Sequence, residues 1–399
     1  MKKVTSLSLS MAAAITVFAT NGIAKENLID SFKNGKISGE IKSVYSHSNF
    51  LENKKSDNIT TLGGSLSYET DSFYNFKLGA TFQTSHVLDD ENNNNVFASD
   101  LDGSGSVLSE FYLDYKISNT TIKAGRQFIY TPLVSSAIDG KASERLTKDS
   151  FQAYLITNED VPDTVLTAGY IDKYQAQAYD GDIGSFEDFE DGAYTIYAKN
   201  NSIENLILQA QYLKVNANDN SNDRDNIYFQ ADYTMGAHTF SAQYLASTDK
   251  SRISKEEDGE VYGLKASGPL GIWKLGYIVS FNSSTEDGDV DLGAGTGTTD
   301  TLFTAMPVNG GGVPARADAD TLVGGIIIPI EQITSVIYIG ESRKDKDEDL
   351  LGDVKAGGIM AMYSYNKNLS LKVIHEHVKT EHPLDEDTDV TRVYLSFKF

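Results

Sequence analysis

The chain has no cysteine, one tryptophan and seven prolines in 399 residues. Without cysteine no disulfide framework can hold it, so its own hydrogen-bond network must. No window approaches the ~20 continuous apolar residues of a helical membrane span. Basic residues are also short, with 34 Lys and Arg against 57 Asp and Glu, a net charge of −23. That balance excludes a nucleic-acid partner, whose phosphates need cationic groups. It favours attraction of cations, including divalent ions that bridge to other anions. Tyrosine (22), phenylalanine (18) and glycine (33) are plentiful, which suits strands joined by tight corners.

The N-terminus reads as an export signal. Lys2 and Lys3 precede an apolar stretch richest from Met11 to Ala19, and Gly22-Ile23-Ala24 follows as a small-residue cleavage site. Residues 1–24 are therefore expected to be a signal peptide, and 25–399 a single domain.

The dominant signal is a period of two. In "SEFYLDYKI", Phe111, Leu113, Tyr115 and Ile117 share one face, while Glu110, Tyr112, Asp114 and Lys116 share the other. Eighteen such segments can be placed, near 36–46, 59–69, 74–86, 107–117, 119–128, 150–157, 163–173, 192–200, 204–214, 225–234, 237–247, 259–267, 271–281, 320–329, 333–343, 353–365, 368–378 and 388–399. The connections alternate in length. Short turns such as "SNT", "MG" and "NKN" alternate with long acidic stretches, among them 47–58, 87–106, 129–149 and 282–319. This pattern predicts an all-β fold: a transmembrane antiparallel β-barrel of about 18 strands, with short periplasmic turns and long external loops. In such a barrel the last strand pairs with the first, so no sheet edge meets lipid. The ending "RVYLSFKF" fits that role, with Phe399 in an interfacial aromatic band. The segment "DTLVGGIIIP" at 320–329 is apolar on both faces, consistent with a subunit contact or a packed inner loop.

A barrel of this size leaves an aqueous lumen. Glu110, Asp114, Lys123 and Arg392 fall on the inward phase. The segment 128–149 is less acidic than the other loops and holds apolar Phe128, Leu133, Val134, Ile138 and Leu146. A loop folded inward would pack those residues on the wall and turn Asp139, Lys141, Glu144, Arg145, Lys148 and Asp149 toward a permeating solute. Opposed charges across an aperture set ion preference, here a modest one for cations.

"IKAGRQFIYTPL" followed by "ERLTKDSFQAY" resembles the G-R-Q…P…R-L…F pattern of OprD-family outer-membrane porins, and "IDSFKNGKISGEIKSVY" is similar to that family's opening strand. The motif itself covers about 125–154. The resemblance implies lumen-facing positions near the eyelet for Arg126 and Arg145, and passage of small solutes, often carboxylates and basic amino acids. Arginine is sparse here, so a cation-preferring general porin of the campylobacterial type, which is trimeric, resembles the chain nearly as well. Both a monomer and a homotrimer stand open. The terminal alternation also resembles the insertion signal of bacterial outer-membrane proteins, placing Tyr394, Phe397 and Phe399 before the barrel assembly machinery. The expected surroundings are outer-membrane lipid, lipopolysaccharide and small hydrophilic solutes.

Other chemistries are weaker. Asp287, Asp289 and Asp291 have the D-x-D-x-D spacing of a calcium loop, but the glycine comes one place late, at Gly293, and Thr298 stands where a glutamate is needed. A solvated acidic loop, or weak divalent bridging to lipopolysaccharide, is the expectation. His375, His377 and His382 read as interfacial. No serine is paired locally with a base, so no catalysis and no organic cofactor is expected. Only about ten residues separate Ala24 from the first strand, too few for a plug domain, and a structural or adhesive barrel is the remaining reading.

Overall fold

A computed structural model describes residues 27–51, 55–90, 100–137, 145–179, 181–216, 223–250, 257–271, 273–308, 312–344, 352–380 and 387–399. The export signal, Asp139, Lys141, Glu144 and His382 lie outside the described residues.

A short helix, α1 (Leu28–Lys33), leads into the barrel. The strands are β1 (Lys36–Phe50), β2 (Lys55–Glu69), β3 (Phe76–Asp90), β4 (Gly103–Ile117), β5 (Thr120–Gln127), β6 (Ser150–Asn158), β7 (Thr164–Gln175), β8 (Glu187–Ile203) and β9 (Leu206–Val215). They continue as β10 (Asp223–Met235), β11 (His238–Lys250), β12 (Glu257–Pro269), β13 (Gly276–Ser284), β14 (Ala319–Ile330), β15 (Ile333–Lys344), β16 (Val354–Ser364), β17 (Leu369–Thr380) and β18 (Thr388–Lys398). Each pairs antiparallel with the next, and β18 pairs with β1 from Glu40↔Lys398 to Phe50↔Thr388. Closure satisfies the ladder all the way round, as a strand protein in hydrocarbon requires. Phe399 completes it: its amide donates to Gly39 O at 3.0 Å and its carbonyl accepts from Gly39 N at 3.0 Å.

The expected segments all appear, most of them longer on the loop side. The exception is 271–281. Gly271, Trp273 and Lys274 have positive φ, so the chain turns there and β13 starts only at Gly276. Trp273 is consequently 86% exposed on a turn.

Parity divides the wall. Leu66, Phe111, Ile196, Phe229, Leu264, Leu322, Ile337, Ile359 and Leu395 are exposed on the outer face. Inner positions carry Lys42, Thr81, Gln83, Gln211, Gln243, Asn282, Lys372 and Glu376, all buried. They are buried because loops pack against the loop-side half of the inner wall. The largest apolar cluster is made of Ile129, Leu133 and Val134 from one loop, Val290, Ala294 and Leu302 from another, and wall residues such as Phe151, Leu213 and Leu245. The core therefore lies inside the ring, where loops pack on the inner wall.

Candidate functional site in the barrel lumen

Three loops turn inward. The first is 100–102, of which Leu101 is 2% exposed. The second, described over 128–137 and 145–149, forms a tight hairpin, Tyr130–Thr131 against Val134–Ser135. Its tip is gripped by one wall glutamine: Leu133 N donates to Gln211 Oε1 at 2.8 Å, and Gln211 Nε2 donates to Thr131 Oγ1 at 2.8 Å. At its start Phe128 N donates to Glu110 Oε1 at 3.0 Å.

The third loop, 285–318, was expected outside because it is polar and acidic. Its described residues, 285–308 and 312–318, pack in the lumen instead. Ala294 N donates to Leu133 O at 2.9 Å and Ser135 N to Ala294 O at 3.0 Å, so the loop adds a short strand to the hairpin. The approach depends on glycine. A β-carbon at Gly293 would collide with Leu133 O, and one at Gly295 with Ser135 O; both have positive φ. The "DLGAGTG" run is thus a packing element. Further along, Leu302, Thr304 and Met306 are buried against the wall, and Phe303, Ala305 and Pro307 between them are half-buried on the other side. Asn282 Oδ1 accepts from Thr304 N (3.1 Å) and Oγ1 (2.8 Å), and Glu376 Oε2 accepts from Val308 N at 3.2 Å and Tyr338 Oη at 2.5 Å.

Two aspartates tie the loops together. Asp149 is fully buried and accepts from Gln177 N at 2.8 Å, Thr296 N at 2.5 Å and Thr296 Oγ1 at 2.6 Å. Burial pushes this loop carboxyl above the ordinary carboxylate range, against the lowering pull of those hydrogen bonds. Asp100 makes a bidentate pair with Arg392, both contacts 2.9 Å, and lies 3.7 Å from Arg145 Nε. Asp100, Asn282 and Glu376 were not singled out in the sequence. Only the inward parity of Asn282 and Glu376 hinted at them.

Glu110, Asp114 and Lys123 lie on the inner wall as expected, with Lys123 Nζ 3.9 Å from Glu110 and 3.6 Å above the Tyr112 ring. Lys148 donates to Tyr130 Oη at 2.9 Å, over the Tyr130 and Phe128 rings. Lys265 and Lys372 sit similarly on Phe303 and Tyr394. These four lysines rest on aromatic faces, which attract a cation through the ring quadrupole.

Other expected positions differ. Arg126 is not lumenal. It pairs in register with Phe111, 52% exposed on the outer face, and no bulge intervenes, so it lies outside, over the Phe186 ring. Arg392 faces inward but is 2% exposed under Asp100. Asp149 is enclosed for the same reason: its donors surround it. Tyr394 is 2% exposed on the inner face, because residue 394 has the opposite parity to Phe397 and Phe399, which are outside at 43% and 47%. Asp289 accepts from Ala317 N at 2.7 Å, and Asp291 accepts from Gly293 N at 2.7 Å and pairs with Arg224 at 3.3 Å. Asp287 is exposed. These carboxylates serve the loop, and among the described residues no three His, Asp or Glu side chains converge as a metal site would require.

A closed ring of strands, apolar outside and polar inside, with loops folded into its bore, is a transmembrane β-barrel of the large, lumen-bearing class. No protein-family model and no curated sequence matches the chain. Solved structures share its fold. OpdO of Pseudomonas aeruginosa is 14% identical, with a TM-score of 0.74 over 93% of this chain and 98% of that one. The outer membrane protein OpdK of the same organism is 14% identical, with a TM-score of 0.73 over 92% and 99%. OccAB1 of Acinetobacter baumannii is 12% identical, with a TM-score of 0.74 over 92% and 97%. The fold anticipated from the OprD-like motif is the fold these structures have.

Proposed function

We propose that the chain is an outer-membrane diffusion channel for small hydrophilic solutes and ions, narrowed by its inward loops. The carrying observation is the wall itself: an eighteen-strand closed ring with an apolar exterior, whose bore is lined by charged and amide side chains and crossed by two interlocked loops. A structural barrel would not need polar loops folded into its bore. The shared fold with OpdO and OpdK supports the reading and the outer-membrane location. The narrow zone carries both signs, with Lys123 and Lys148 on one side of the balance and Glu110 and Asp114 on the other. A net charge of −23 adds cation enrichment at the mouth, screened beyond about 8–10 Å at physiological salt. The result is a modest cation preference, strongest at low ionic strength. No cofactor enters this mechanism.

The test is reconstitution into planar bilayers and liposomes. Stepwise conductance with a reversal potential biased toward cations, and osmotic swelling with sugars and amino acids, is expected. Protein that inserts and gives neither conductance nor swelling would refute the channel reading.

A further inference from the structure

Beyond the buried Thr321, the inner face of β14 carries only Val323, Gly325, Ile327 and Pro329, and packing explains only the loop-side part of it. On the loop side Val323 packs against the cluster of Met306, Val313, Val354, Ala356 and Val378. On the turn side, below the inward loops, Ile327 has no such cover. It is directly opposite Val336, and Val336 is directly opposite Met360. Met362, on the same face of β16, is 37% exposed. Ile278 of β13 adds to the patch, packing beneath Gly325 of β14. Ile327 and Val336 are half-buried, and Met360 marks the loop-side limit of the patch, where it packs against the cluster of Val44, Leu101, Leu146, Ile374 and Tyr394. Their lumenal direction follows from parity: Ile326, Ile337 and Ile359 beside them are the exposed outer residues.

The far side of the ring, where the turn-side vestibule meets the narrow zone, is different. Lys77, Asp114 and Lys123 stand in one register row across β3, β4 and β5. Lys77 also pairs with Glu69 at 2.8 Å, both about two-fifths exposed. Strands β5 and β14 are nine apart in a ring of eighteen, so the ionic row and the apolar row face each other across the bore. Contiguous apolar surface facing water is unfavourable and marks a place where something apolar is received. An inner wall selected only for hydration would carry polar groups here, as β9 and β10 do with Gln209, Gln230 and Asp232.

We infer that this turn-side vestibule is a two-faced track for small zwitterionic solutes with an apolar body. The apolar part travels on Ile327, Val336 and Met362, and the charged ends are drawn to the ionic pairs opposite. Chemically these are amino-acid-like solutes with aliphatic or aromatic side chains. The inference rests on the channel reading above and narrows its solute class. Sugars lack the apolar body, and inorganic ions have no use for the strip.

The experiment compares L-leucine with near-isosteric L-asparagine in liposome swelling, using the full-length protein, with bilayer conductance in potassium chloride as the control. Burying part of a leucine side chain predicts leucine entry about fivefold faster than asparagine. Val336→Thr, which keeps the shape of the side chain, and Met362→Gln should bring the two rates together without changing asparagine entry or ion conductance. Equal rates in the parent, or an unchanged ratio in both variants, would overturn the track. A Val336→Cys variant that resists a small water-soluble thiol reagent would overturn it too, by showing the strip covered by protein. Loss of all conductance and swelling in the parent would instead refute the channel itself.

Discussion

Asp149 is the most informative single residue to change. Its carboxylate accepts three hydrogen bonds from Thr296 and Gln177 in a site with no solvent exposure. Asp149→Ala leaves those donors without an acceptor. A stranded buried donor costs ~1–3 kcal/mol, and water entering the space recovers part of it, so the net loss is about 3 kcal/mol. The barrel is held by an unbroken ladder and stays folded. The loss falls on the contact between the loop 285–318 and the hairpin 130–135. At ~1.4 kcal/mol per tenfold, detached loop should rise on the order of 100-fold. Thr298, 3% exposed beside this contact, is the reporter. In a Thr298→Cys background, Asp149→Ala should raise the rate of thiol modification by about that factor, with noisier and larger single-channel currents. Asp149→Asn keeps one acceptor oxygen and should raise it far less. If Thr298→Cys reacts at the same rate with Asp149 and with alanine there, this aspartate does not hold the loops.

Asp100→Ala should be nearly as disruptive at its own site, because it leaves Arg392 buried without its bidentate partner; about 3 kcal/mol is expected, read as faster proteolysis of the loop-side face at unchanged barrel circular dichroism. Asp149 also has a pH signature. Its folded-state value is raised, so its contribution is present below the ordinary carboxylate range and is lost as pH rises through the raised value. The melting temperature of the parent minus that of Asp149→Asn should therefore be more positive at about pH 4 than at about pH 7, and no pH dependence would contradict the burial argument. Lys123→Gln should shift the reversal potential toward cations and Glu110→Gln away from them, persisting at high salt because the charges lie within the narrow zone; Arg126→Ala, on the outer face, should leave it unchanged. Phe399→Ser, which removes the ring stacked on Phe397 at 6.2 Å while keeping the backbone pair with Gly39, should slow insertion, followed as the rate at which heat-resistant barrel accumulates.

The eighteen strands, their order and their two faces were legible in the sequence, because each is written locally. A strand's period of two shows in five or six residues, and the sorting of short turns from long loops shows along the chain. The same reading placed Glu110, Asp114 and Lys123 on the inner wall, and it recognised that the apolar residues of 128–149 need a surface to pack on. Parity even held the correct answer for Arg126, which shares the phase of Ile122; the motif-based expectation of a lumenal position went against it. What the sequence could not show is where loops go. The loop 285–318 looks like solvated acidic chain, yet it enters the bore because Asp149 meets Thr296 at a separation of 147 residues and its glycines allow contact with the hairpin. Arg392 looks like a free lumenal cation, yet Asp100, 292 residues away in sequence, covers it. Loop placement is decided by pairings between distant segments, each worth little to the local chain conformation, and these exist only after the ring has closed and given the loops a wall to pack against.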